Sequence, residues 1–275
     1  MTERKRKSEI SKHPLSRTSM STCCHILEIL AERESMGKVP VVSLEEVLAD
    51  YNNKRIELGK RTSKEPHFKN QINFLKTLGF IDNSSLTETG RRIASHCAGG
   101  SHDLYVSIIF FREIYRRVPT FRDLIAKIRE GRYSSVAESI EDSARSHGFN
   151  DTLKDHLRKW IEELDMISTE GGTIRINRFF ESKALESVSI NDVLQFIDAF
   201  KDEWDSIQES NLYSDLDKEV FCGTQSVATM RKVIDKLAEK GYITINHGKY
   251  NTNFILRNKL NPARDISIQH FLNSN

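Results

Sequence analysis

At 275 residues and 38% hydrophobic content, the chain is long enough for two or three domains with buried cores. Its longest apolar run, residues 106–111 with Ser107 inside it, falls far short of the roughly 20 residues of a bilayer span, and no apolar segment follows the charged N-terminus. The expectation is therefore a protein that is neither membrane-spanning nor secreted. Cys23, Cys24, Cys97 and Cys222 lack paired spacing, so they read as reduced thiols of a cytosolic protein and not as a disulfide scaffold.

The net charge of +2 conceals segregation along the chain. Residues 1–18 hold six basic and two acidic side chains and read as a disordered basic tail. Residues 51–80 and 222–260 each carry +5, whereas residues 190–219 carry −7. Positive blocks of this kind attract phosphate locally even when the total is small, because screening limits each patch's reach to about 8 Å. They equally describe solvated helix faces.

In the first unit, residues 19–100, Met20, Cys23, Ile26, Leu27 and Leu30 form a helical stripe, and residues 39–42 read as extended. Ser43 caps a second helix with Glu45 and Glu46 in its first turn, and Pro66 opens a third whose Phe68, Ile72, Leu75 and Leu78 face inward. Thr87 caps a fourth. The second unit, residues 101–185, predicts helices over 105–115, 121–129 and 135–146, then one bearing Leu153, Leu157, Trp160, Ile161 and Leu164, and a hairpin turning at Gly171-Gly172. The third, residues 186–275, predicts a long acidic helix over 190–210, a helix over 225–240 burying Val227, Met230, Ile234 and Leu237, and two strands about His247-Gly248.

Three segments share one phrase, a helix end, a break and an apolar strand start, beginning at Leu75, Ile161 and Leu237, about eighty residues apart. Gly79 and Gly241 suit a left-handed helix stop, with Asp165 as the substitute in the middle copy. The fold class expected is therefore mainly α with small β-hairpins (α+β), in three tandem units.

The order helix, helix, helix, two-stranded wing resembles the winged-helix family over roughly residues 19–260. Leu78-Gly79-Phe80-Ile81 followed by Leu86-Thr87-Glu88-Thr89-Gly90 is similar to what family members carry at the end of the recognition helix and after the wing. The resemblance implies that each third helix enters a major groove while the wing touches the backbone or minor groove. Three such units in series, with Phe121-Arg122-Asp123-Leu124-Ile125, are also similar in layout to the recognition half of FokI-type restriction endonucleases. The nuclease half has no counterpart in this sequence, which points to a regulator or to the recognition subunit of a restriction or defence system.

The candidate DNA-binding residues follow from this frame. The third helix of the first unit turns Lys69, Asn70, Asn73 and Lys76 outward, with Lys64 just before it, so one face combines phosphate neutralisation with base-reading amides. The corresponding helix of the third unit offers Gln225, Thr229, Arg231, Lys232 and Lys236, and its wing His247, Lys249 and Tyr250. Arg4, Lys5, Arg6 and Lys7 form an arm for an adjacent groove, or a solubilising tail, or a nuclear signal. Asp151, Asp155 and Glu162 beside Lys154 and Arg158 make the middle unit a spacer or docking module.

No His-Glu-x-x-His, Cys-x-x-Cys or phosphate-loop motif occurs, so a non-enzymatic protein without metal or cofactor is expected. The expected partner is double-stranded DNA, with a nuclease or complex subunit as protein partner, a homodimer as one assembly, and a cytoplasmic, nucleoid-associated location. The competing reading is a scaffold similar to the winged-helix subunits of condensin-like complexes. Its docking surface would be the stripe Phe196, Phe200, Trp204 and Ile207.

Overall fold

A computed structural model of the chain describes residues 18–37, 44–83, 85–98, 100–148, 150–200, 209–247, 252–256 and 266–274. The described residues are mainly helical, with four small two-stranded antiparallel pairs. Among them no helix is long and apolar enough to cross a membrane. The chain divides into two compact units, Met1–Arg175 and Ile176–Asn275.

The first unit is built around α1 (Met20–Ser35), which buries Met20, Cys23, Cys24, His25, Ile26, Leu27, Ile29 and Leu30. Ser19 caps it, its hydroxyl accepting from the Thr22 amide. In α2 (Leu44–Glu57), Glu45 and Glu46 lie in the first turn and Lys54 and Arg55 in the last, the arrangement that the helix dipole favours. Arg33 of α1 ties α2 down through Glu46 at 2.9 Å and Asp50 at 2.6 Å. Then α3 (Glu65–Thr77) begins with Pro66 in its first turn and stops at Gly79, whose φ of +74° is left-handed as its place in the repeat predicts.

A short pair follows, β1 (Ile81–Asp82) with β2 (Ser85–Leu86), in the register Ile81 opposite Leu86. Thr87 caps α4 (Glu88–His96), accepting from the Gly90 amide while its hydroxyl donates to the Gly79 carbonyl at 2.8 Å. One threonine thus fixes both the end of α3 and the start of α4. The hairpin of β3 (Cys97–Ala98) and β4 (Ser101–His102), which the sequence pattern does not announce, leads into α5 (Leu104–Arg117), capped by Asp103.

The helices α6 (Pro119–Arg129), α7 (Val136–His147) and α8 (Asp151–Leu164) then pack in sequence, and α8 ends at Asp165 with φ +48°. The last pair is β5 (Ile167–Glu170) and β6 (Thr173–Ile176). The Ile174 amide donates to the Tyr133 carbonyl at 2.8 Å, so the α6–α7 connection lies along β6.

Residues expected to form the first two domains, 19–100 and 101–185, share this unit up to Arg175 and do not part at residue 100. The physical reason is an aromatic core common to both. Phe74 of α3 lies 5.3 Å from Trp160 of α8, Phe80 meets Phe110 of α5 edge-on at 4.9 Å, and Phe110 stacks on Trp160 at 5.7 Å.

The second unit contains α9 (Arg178–Glu186), α10 (Ile190–Phe200), α11 (Glu209–Glu219), α12 (Val227–Glu239), β7 (Ile243–His247) paired with β8 (Thr252–Leu256), and α13 (Ile268–Asn273). The single helix expected over 190–210 is corrected. Its described part ends at Phe200, and α11 is a separate helix that the sequence reading missed. Val193 and Ile197 of α10 and Leu212 and Leu216 of α11 all enter one core with Met230, Ile234 and Leu237 of α12. The chain closes on α13, where Ile268 N donates to the Val188 carbonyl and Ile190 N to the Ile266 carbonyl.

Candidate nucleic-acid interface

The α3 helix is held from two sides. Phe68 packs against Tyr51 of α2 with ring centres 5.2 Å apart, and Phe74, which the sequence reading left out of the core, packs against Trp160. With Ile72 and Leu75 these residues take up one half of the helix circumference. The remainder exposes Glu65, Pro66 and His67 in the first turn and, beyond it, Lys69, Asn70, Asn73, Lys76 and Thr77. All four expected α3 residues therefore stand on one exposed face. Among the described residues Lys69 and Lys76 have no ion pair, and the side-chain amides of Asn70 and Asn73 have no hydrogen-bond partner.

The segment entering α3 extends this positive surface. Asn52 clamps Ser63 twice, accepting from its amide at 2.7 Å and donating to its carbonyl at 3.2 Å. Arg55 donates to the Arg61 carbonyl at 2.5 Å, with its guanidinium over the Tyr51 ring. The loop is thereby fixed with Lys60, Arg61 and Lys64 exposed and, among the described residues, without an acidic partner. Lys60 and Arg61 are exposed cations that the sequence pattern does not place among the candidate DNA-binding residues. Only the Asn52 and Arg55 tethers show that the loop carrying them is held against the end of α2, where the chain leads into α3. Glu65 and Glu57 are the exposed acids nearest in sequence.

The middle helix α8 is different in kind. Its Lys154 pairs with Glu141 at 2.9 Å and Asp151 at 3.6 Å, and Lys159 with Glu163 at 3.7 Å, so those positive charges are neutralised within the unit.

In the second unit the expected face of α12 is substantially corrected. Gln225 is buried at 3% exposure, its amide donating to the Glu181 carbonyl at 2.9 Å and to Thr224 Oγ1 at 3.1 Å. Lys236 folds over the C-terminal helix, where its ammonium donates to the Leu272 carbonyl at 3.1 Å and to the Ser274 carbonyl, 5.8 Å from the centre of the Phe271 ring. A cation at that place satisfies the orphan carbonyls of α13. Thr229 is half-buried, its hydroxyl 3.0 Å from that of the N-cap Ser226. Val227, expected inside, is 50% exposed because it lies in the first turn, ahead of the stripe Met230, Val233, Ile234 and Leu237 that enters the core.

Of the expected α12 set, Arg231 and Lys232 remain exposed, Arg231 lying over the Tyr213 ring at 5.6 Å. His247 ends β7, but its side chain lies outside the described residues, as do Lys249, Tyr250 and the arm Arg4, Lys5, Arg6 and Lys7. The alternative docking stripe also changes character. Phe196 is 7% exposed within the unit's core, and Trp204, Ile207 and the Phe200 side chain lie outside the described residues.

Cys23, Cys24, Cys97 and Cys222 form no disulfide, and among the described residues no group of three or more His, Cys, Asp or Glu side chains is placed to hold a metal ion. No known protein family, curated protein or solved structure matches the chain.

Proposed function

We propose that the protein binds double-stranded DNA through α3, as a regulator or as the recognition component of a larger restriction or defence assembly, without catalysing a reaction itself. The observation that carries this reading is the exposed α3 face, where two lysines without acidic partners flank two unbonded asparagine amides, beside a tethered loop that adds Lys60, Arg61 and Lys64. Lysines on one helix side neutralise phosphates, and free amides on the same helix can meet base edges in a groove wide enough for a helix.

The finer fold reading supports it. The series α1, α2, α3, β1–β2, the series α6, α7, α8, β5–β6, and the series α10, α11, α12, β7–β8 each run helix, helix, helix, hairpin. We read them as three winged-helix units, with α3 the DNA-contacting third helix, α8 a structural one, and α12 a minor contributor through Arg231 and Lys232.

The test is a titration of the full chain against a mixed-sequence duplex by fluorescence anisotropy at several salt concentrations. Binding is expected to weaken steeply with salt, and Lys69→Ala or Lys76→Ala should each reduce the log–log salt slope by about one. Absence of binding at about 50 mM salt, where phosphate contacts are strongest, would overturn the proposal.

A further inference from the structure

The exposed face of α3 is ordered across its width. At about 100° per residue, Asn73 stands near the middle of the exposed arc, Lys69 and Lys76 lie within about 60° on one side, and Thr77 and Asn70 within about 60° on the other. The lysine side borders Phe68 and Ile72, and Phe68 is the residue that packs on α2. The lysines therefore stand on the flank of α3 that faces α2, whose end leads to Lys60, Arg61 and Lys64, with the exposed Glu65 one turn before Lys69; this flank is suited to phosphate contacts.

The middle and opposite flank have another chemistry. Asn70 and Asn73 have no side-chain hydrogen-bond partner, and the Thr77 hydroxyl donates to the Asn73 carbonyl at 2.9 Å. Thr77 has thus spent its donor on its own helix, and what its exposed side chain adds to the surface is chiefly a methyl group. The exposed α3 face carries no arginine, and its two lysines both lie on the flank beside Phe68 and Ile72, away from Asn70 and Thr77.

We infer that α3 selects A·T base pairs, with Asn70 and Asn73 reading adenine edges and the Thr77 methyl meeting a thymine methyl. This rests on the DNA reading of the same helix and names the sequence class that it takes. An asparagine amide matches the N7 acceptor and N6 donor that adenine presents in the major groove, whereas guanine presents two acceptors, the pattern read by arginine or lysine. The two asparagines are about 4.5 Å apart along the helix axis, comparable to the spacing of successive base pairs. A lysine rail on one edge holds this register against one strand without adding base preference.

The experiment uses the full chain and three duplexes of equal length at one salt concentration. One has an A·T-rich centre, one a G·C-rich centre in the same flanks, and one is the A·T duplex with 7-deazaadenine, which lacks the N7 acceptor. The A·T duplex should bind at least about ten-fold tighter than the G·C duplex, the discrimination of one good bidentate pair, and 7-deazaadenine should remove most of that advantage. Asn70→Ala with Asn73→Ala should bring the two natural duplexes to equal affinity while binding persists, and Lys69→Ala should weaken both equally. Equal, salt-dependent affinity of the unaltered chain for both natural duplexes would overturn the base selection and leave the DNA reading standing. An A·T preference that survives 7-deazaadenine would assign selection to duplex shape and overturn the asparagine role. No binding to any duplex would overturn both readings.

Discussion

Gly90 shows how a short motif acquires a physical meaning. A Cβ placed on it would stand 2.1 Å from the Phe80 carbonyl oxygen, a backbone atom that cannot swing aside. The phrase Leu86-Thr87-Glu88-Thr89-Gly90 is therefore a packing device, in which Thr87 bonds the end of α3 and Gly90 lets α4 lie directly on it. The left-handed stops at Gly79, Asp165 and Gly241 were legible in the sequence because a helix stop is local chemistry.

His25 was not legible in this way, since its environment is assembled from distant segments. Its ring is 5% exposed and lies beneath Gly100, whose added Cβ would come within 2.2 Å of Nε2. Burial pushes its pKa below the usual 6.5; Glu28, at 3.4 Å on the same helix, opposes this, and Lys60 and Lys54 reinforce it. Because the folded-state pKa is lowered, the unfolded chain takes up a proton first as pH falls through 6.5. Stability contributed by the neutral ring is thus complete above that pH and declines below it, until the lowered folded pKa is passed. Urea unfolding followed between about pH 5 and 7.5 should show this decline, and His25→Gln should flatten it. An unchanged pH profile in the variant would show that the proton is taken up elsewhere.

At the scale of elements, amphipathic periodicity located the exposed face of α3 because Phe68, Ile72 and Leu75 form one continuous apolar stripe turned away from it. The same reasoning put Gln225 and Lys236 on an exposed helix face, whereas Gln225 precedes the N-cap Ser226 and is buried, and their partners lie 44 and 36 residues away along the chain. A polar residue on an outward helix position and one that reaches across to a neighbouring helix have the same sequence signature. Only the packing of α9 and α13 separates them.

This difference predicts distinct mutational outcomes. Lys236→Ala removes the donor from the Leu272 and Ser274 carbonyls and the cation beside Phe271, so amide exchange in α13 should accelerate and the second unit should lose roughly 1 kcal/mol, with little change in duplex affinity. Lys232→Ala, at an exposed position, should do the reverse: exchange unchanged and duplex binding slightly weaker. A Lys236→Ala variant whose α13 protection is unchanged but whose DNA affinity drops would return Lys236 to the interface.

For the whole molecule, the order helix, helix, helix, hairpin recurs among the described elements, but the first two occurrences do not form separate compact units. The first two repeats lie within one compact unit because Trp160 of α8 touches both Phe74 of α3 and Phe110 of α5. Periodicity marks Trp160 as inward-facing without saying which neighbour it meets, and Phe74, off the main stripe of α3, marks nothing until α8 is placed beside it. The shared aromatic core makes the packing of α3 depend on a residue more than eighty positions away in sequence.

Replacing Trp160 by alanine should therefore cost about 3–5 kcal/mol, the range for large aromatic truncations in a core. The loss should be felt on both sides of the contact. Hydrogen exchange should show α3 and α8 losing protection together, with α12 in the other compact unit as the internal reference. If α3 kept its original protection while α8 opened, the two repeats would be energetically separate despite the aromatic contacts. If they open together, the basic face of α3 is presented by a scaffold spanning both repeats, and the neutralised lysines of α8 belong to the support of that face.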